Sequence, residues 1–190
     1  MDKNMIQRWI HAIMTLAAIA VLSVSCREDE WFDPSPAARE GYVALRFSAD
    51  VPAMEKVATR AVDPDGGGVQ DMTLFCFDSY GLFITTVTAE VISTDVSNGT
   101  FQAQVPENTR TVHFLANQVM TDFEQDQFRS KSEAEVMALL EGSSGRMIYW
   151  ARFACDNSTD ELKKQTIAQQ MSGKGNSITM LRNHAKVSVN

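Results

Sequence analysis

Beyond Gly41 the apolar residues mostly alternate with polar ones instead of recurring at helical spacing. From Tyr42 to Val51 the side chains of Val43, Leu45, Phe47, Ala49 and Val51 fall on one face, the period of two that marks a strand with one side buried, and Pro52 ends it. A polar, glycine-rich stretch from Lys56 to Gly68 follows. Val69 to Asp78 is rich in Leu, Phe and Cys, Ser79-Tyr80-Gly81 supplies a turn, and Leu82 to Ile92 is β-branched and aromatic, so these runs predict a hairpin. Asn98-Gly99 is a turn signal before Thr100–Val105, where Phe101, Ala103 and Val105 share a face up to Pro106. Further strands are expected over Arg110–Ala116, Arg146–Ala154 and Ser177–Val189, the last as one strand or a pair.

Two short helices interrupt this pattern. Thr121 with Glu124, and Ser132 with Glu135, have the spacing at which a hydroxyl and a carboxylate satisfy each other's backbone N–H groups at a helix start. The second continues through Val136-Met137-Ala138-Leu139-Leu140 and stops at Gly142, while Glu161–Met171 reads equally as helix or strand. About seven short strands separated by turn signals, with helices inserted between them, predict a mainly β protein of β-sandwich architecture.

The first residues follow a different rule. Lys3 and Arg8 precede an apolar run from Trp9 to Leu22, broken by His11 and Thr15, which leads into Ser23-Val24-Ser25-Cys26. At 14 residues the run is short of the roughly 20 that span a bilayer, and its apolar residues surround the helix without forming a stripe. The layout is that of a secretory signal peptide. With Cys26 at its end it resembles the lipoprotein signal of Gram-negative bacteria, in which cleavage before the cysteine leaves it lipidated, although Ser23 stands where Leu is usual. Residues 1–25 are then the signal peptide, residues 26–40 a tether containing Pro34 and Pro36, and residues 41–190 the folded domain. Arg27-Glu28-Asp29-Glu30 is similar to a surface-export signal of Bacteroidales lipoproteins, and reads equally as a solvated charged linker.

Composition narrows the functional classes. With 17 basic and 24 acidic residues, a net charge of -7 and no basic cluster, the chain is a poor polyanion binder, and nucleic acid is not an expected partner. His11, His113 and His184 have no Cys, Asp or Glu at metal-ligand spacing. No Gly-x-Ser-x-Gly elbow is present, and Gly66-Gly67-Gly68 lacks the Lys-Ser/Thr of a phosphate loop. Neither a catalytic constellation nor a metal or cofactor site is expected, which argues against an enzyme. Cys76 and Cys155 sit in apolar runs, and a disulfide and two buried free thiols are both open at this point. Trp31, Tyr149 and Trp150 are the aromatic residues that a surface lipoprotein could stack on sugars, and glycan binding is the alternative function.

The order of motifs carries more than any one of them. After Cys26 come the first strand, a loop with Thr59-Arg60-Ala61, and Leu74-Phe75-Cys76-Phe77-Asp78-Ser79-Tyr80-Gly81. Then follow Gly99-Thr100-Phe101, Val105-Pro106-Glu107-Asn108-Thr109, Val112-His113-Phe114-Leu115-Ala116-Asn117 and Leu181-Arg182-Asn183-His184-Ala185-Lys186-Val187-Ser188-Val189. That order resembles the N-terminal domain of the Bacteroidales fimbrillin family, the subunits of type V pili. The resemblance implies a transthyretin-like β-sandwich, lipid on Cys26 holding the protein to the outer membrane, and a place in cell-surface fimbriae that serve adhesion to a host or glycan ligand. It also implies that an arginine-specific protease cuts the bond Arg60-Ala61, freeing Tyr42–Val51 so that a strand from another fimbrial subunit can take its place. Arg46 competes poorly as a cleavage site because it lies mid-strand. Fimbrillins generally carry a second sandwich domain that supplies the donor strand, and these 190 residues match the first alone. An anchor, a terminator or a non-polymerising remnant is therefore as consistent with the resemblance as a polymerising subunit.

Overall fold

A computed structural model describes residues 38–51, 69–95, 98–117, 125–140 and 148–182. All of them belong to one unit, Ser35–Asn190. Among the described residues there are nine strands in two sheets, so the expected β-sandwich is what the chain forms. The strands are β1 (Tyr42–Asp50), β2 (Met72–Phe77), β3 (Phe83–Thr88), β4 (Glu90–Thr94), β5 (Asn98–Pro106), β6 (Thr111–Ala116), β7 (Tyr149–Ala154), β8 (Ser177–Thr179) and β9 (Leu181–Arg182). Sheet A has the order β4-β5-β1-β8, and sheet B the order β3-β2-β6-β7-β9.

Nine strands stand where the pattern predicted about seven because two of the expected strands each divide. Leu82–Ile92 supplies β3 to sheet B and β4 to sheet A, the chain crossing at buried Ala89, whose N–H donates to Met72 O at 2.9 Å. Ser177–Val189 likewise supplies β8 to sheet A and β9 to sheet B, turning at fully buried Met180. The expected hairpin is present as β2 and β3, antiparallel with Thr73 opposite Thr88.

The two sheets bury their surfaces differently, and the sequence explains why. β1 and β5 alternate, so their apolar faces meet sheet B while Arg46, Gln102 and Gln104 face outward. β2 and β6 are mostly apolar, with Thr73, Thr111 and His113 among them, and are buried on both faces. Their inward residues, among them Leu74, Cys76, Val112 and Phe114, join Leu45, Phe47 and Phe101 in the main core. Their outward residues Phe75, Phe77 and Leu115 form a second cluster under a 3₁₀ helix (Gln125–Phe128) and α1 (Glu133–Leu139), which contribute Phe128 and Val136, with Leu140 just past the end of α1. The rings of Phe128 and Phe75 meet edge to face at 5.6 Å.

Helix α1 begins as expected, with Ser132 capping the Glu135 N–H and Glu135 reaching back to the Ser132 N–H. The other expected capping box, at Thr121 and Glu124, lies outside the described residues. Glu161–Met171 resolves into two helices, α2 (Asp160–Lys164) and α3 (Ile167–Gly173), capped by Thr159 and Thr166. Arg110 closes the end of α2, its guanidinium donating to Lys163 O and to Gln165 O at 2.5 Å. Buried Gln170 on α3 donates to Asp156 O and Leu162 O and accepts from the Asp156 N–H, so the segment between β7 and α3 is held by its side-chain amide.

Candidate functional site

Cys26, Arg60 and Ala61 lie outside the described residues, as do the leader, Trp31 and His184. The strand that Arg60 follows is described in full, and its setting is the feature with the clearest functional meaning. Although β1 is the first strand of the domain in sequence, it occupies an interior position in sheet A. It pairs antiparallel with β5 at all nine positions, from Tyr42 opposite Pro106 to Asp50 opposite Asn98. On its other side it runs parallel to β8 over Ser48–Asp50 alone. Bonds at both ends fix this place: Glu107 N–H donates to Gly41 O at 3.0 Å, Ser48 N–H to Asn176 O at 2.8 Å, and Met180 N–H to Asp50 O at 2.8 Å. Arg46 lies mid-strand opposite Gln102, where extended backbone is already committed to the sheet.

Alternation turns Leu45, Phe47, Ala49 and Val51 into the core, each less than a tenth exposed. Phe47 stacks on Phe101 of β5 at 5.8 Å and meets Phe114 of β6 edge-on at 5.0 Å, so it joins the two sheets. Each large apolar side chain buried in this way contributes about 1.5–3 kcal/mol. Taking β1 away would part β5 from β8 and uncover a groove lined by Phe101, Phe114 and their neighbours. Because β1 comes first, one break in the segment 52–68 that leads to β2 leaves it attached to the body by non-covalent contacts alone.

A second cluster lies across the molecule, on the outer face of sheet B. His113 on β6 is only 3% exposed, and its Nε2 lies 2.8 Å from Glu133 Oε1 on α1. Arg152 on β7 donates to the same carboxylate, from Nε to Oε1 at 2.6 Å and from its terminal nitrogen to Oε2 at 3.2 Å. Trp150 Nε1–H donates to His113 Nδ1 at 3.0 Å. Burial, opposed by Glu133, pulls His113 below the ordinary imidazole value, and the Arg152 guanidinium holds Glu133 below the usual carboxylate range. Both imidazole nitrogens are committed, so the ring has no free lone pair for a substrate proton, and the cluster clamps α1 to the sheet. The sequence showed His113 with no acid at ligand spacing. Its partner is twenty residues away and becomes a neighbour only because α1 folds over sheet B.

The remaining candidates are placed as follows. Tyr149 is buried and Trp150 is half-buried against the second cluster, so neither forms an exposed platform for a sugar. Cys76 and Cys155 are both free and buried. They stand on β2 and beyond the end of β7, with β6 between them, a lateral gap of about 9–10 Å that exceeds disulfide reach. Burial pushes the Cys76 thiol up to about 12. Among the described residues no group of three or more His, Cys, Asp or Glu could hold a metal ion, and no helix is long and apolar enough to cross a membrane.

No protein-family model matches the chain, and no curated protein matches it. Among solved structures, the chain is similar to a fimbrial assembly protein from Parabacteroides distasonis, at 11% identity and a TM-score of 0.38. The likeness covers 74% of this chain and 54% of that one, so the chain spans about half the length of that protein.

Proposed function

We propose that the protein is a structural or accessory subunit of surface fimbriae whose first strand is exchanged for a strand of another subunit. Lipid on Cys26 holds it to the outer membrane, cleavage of Arg60-Ala61 releases β1 from the body, and the vacated place in sheet A takes the incoming strand. The role is assembly and adhesion, not catalysis. The observation that carries this reading is the position of β1: first of the described strands, interior in sheet A, and bearing Leu45, Phe47 and Ala49 in the core, with Val51 just past its end. A body deprived of that strand exposes apolar pockets and unpaired backbone on β5, and an added strand satisfies both. The ordered motifs that resemble the fimbrillin N-terminal domain support the same reading. The glycan-binding alternative loses support at Tyr149 and Trp150, which are packed into the fold.

The test is made on cells carrying either the natural chain or Arg60→Gln. Fimbriae purified from the natural strain are expected to contain the protein beginning at Ala61, and the Arg60→Gln protein to stay uncut in the outer membrane and absent from fimbriae. Equal incorporation of the Arg60→Gln protein would overturn the proposal.

A further inference from the structure

The inward residues of β1 each face a particular residue of β5. Leu45 faces Ala103, Phe47 faces Phe101 and Ala49 faces Gly99. Gly99 does not leave spare room beside Ala49. The Phe101 ring lies over it so closely that a Cβ at position 99 would stand 2.6 Å from Phe101 Cε2 and 2.9 Å from Cζ. On its other flank Ala49 pairs with buried Ile178 of β8. Ala49 is itself fully buried, so a larger side chain there would have to enter core that is already filled. One step along, the Phe47 site is bounded by two rings, Phe101 and Phe114, one stacked and one edge-on.

We infer that the groove beneath β1 selects its occupant by size: a bulky aliphatic, an aromatic, an alanine-sized and a β-branched residue at alternate positions, in that order. The inference rests on the strand-exchange reading and names the class of strand that the site accepts. The small site at Ala49 sets the register. A slip of one residue turns the apolar face outward, and a slip of two puts the aromatic or the β-branched residue where a single buried methyl group stands. Positions 46, 48 and 50 point away from the core and leave the occupant free to vary there. Outside β1 the four-position pattern is complete nowhere in the 190 residues, so the fitting strand belongs to other polypeptide sequence.

The experiment uses the full chain cut at Arg60-Ala61 by an arginine-specific protease that is then inhibited. The cut protein is brought to the foot of its guanidinium transition and returned to buffer with labelled peptides of the Gly41–Val51 sequence in excess. Four peptides are compared: the natural sequence, Ala49→Leu, one with Phe47 and Ala49 interchanged, and Arg46→Glu as an outward-facing control. The natural and Arg46→Glu peptides are expected to bind alike, and the other two about tenfold or more weaker, the cost of forcing extra carbons into a filled core. Equal binding by Ala49→Leu would overturn the size selection while leaving strand exchange intact. Failure of the natural peptide to bind would overturn strand exchange, and the selection with it.

Discussion

The indole N–H of Trp150 donates to Nδ1 of His113 at 3.0 Å, and this bond decides the state of the imidazole. Nδ1 is the acceptor, so the proton sits on Nε2 and is donated to Glu133. A second proton on the ring would set two N–H groups against each other. Burial, the largest influence on His113, acts in the same direction and depresses its value in the folded state. The stability that comes from this neutral ring is therefore complete above about pH 6.5, where the unfolded chain is also neutral, and declines as the pH falls toward the lower folded value. Glu133, held low mainly by Arg152, adds its loss at more acid pH, below about 4.5. Thermal unfolding followed by circular dichroism should show a melting temperature that drops between pH 7.5 and 5.5, with a flatter profile in His113→Gln. An equally steep profile in that variant would refute the assignment.

Trp150 also packs in the second cluster, with Phe77 and Val136 among its members. Trp150→Ala should destabilise the chain by about 2–4 kcal/mol through lost packing and the unpaired imidazole nitrogen, and Trp150→Phe by about 1–2 kcal/mol. Chemical denaturation at pH 7.5 measures both. Near-equal losses would show that the hydrogen bond, and not the packing, dominates.

How much of this was legible from the sequence depended on whether the information was local. β1 and β5 alternate cleanly because one face of sheet A is open to solvent, and Ser132 and Glu135 lie within one helical turn. The crossings at Ala89 and Met180 were not legible, since both residues are apolar and buried and simply prolong the alternation of the strands they divide. The helix start at Thr166 uses Gln169 in place of an acid, and Glu161–Met171 left helix and strand open. The contact of His113 with Glu133 depends on α1 lying across sheet B, which no spacing rule conveys. The interior place of β1 is of the same kind: its apolar face could be read, but not the fact that β5 and β8 flank it.

Gly99 should be intolerant of even a methyl group, because the Phe101 ring occupies the space above it. Gly99→Ala is expected to cost about 1–3 kcal/mol, the range for overpacking a closed core. A neutral result in equilibrium unfolding would mean that the Phe101 ring can swing aside.

Neither cysteine should be oxidised or reactive in the folded domain. In a Cys26→Ser chain, a thiol reagent at pH 8 is expected to leave Cys76 unmodified until denaturant is added, since its thiol is buried and pushed up to about 12. Intact mass should match two reduced thiols. A mass short of two hydrogens would contradict the separation imposed by β6.

The central claim is that β1 can be replaced once its covalent link is cut, and native mass spectrometry tests it most directly. The full chain cut at Arg60-Ala61 should retain the fragment bearing Tyr42–Asp50 in a folded complex. Added in excess, a mass-labelled β1 peptide should displace that fragment from the cut protein and leave the uncut protein untouched. A fragment that stays bound under every condition in which the body remains folded, or a peptide that adds to cut and uncut protein alike, would contradict strand replacement.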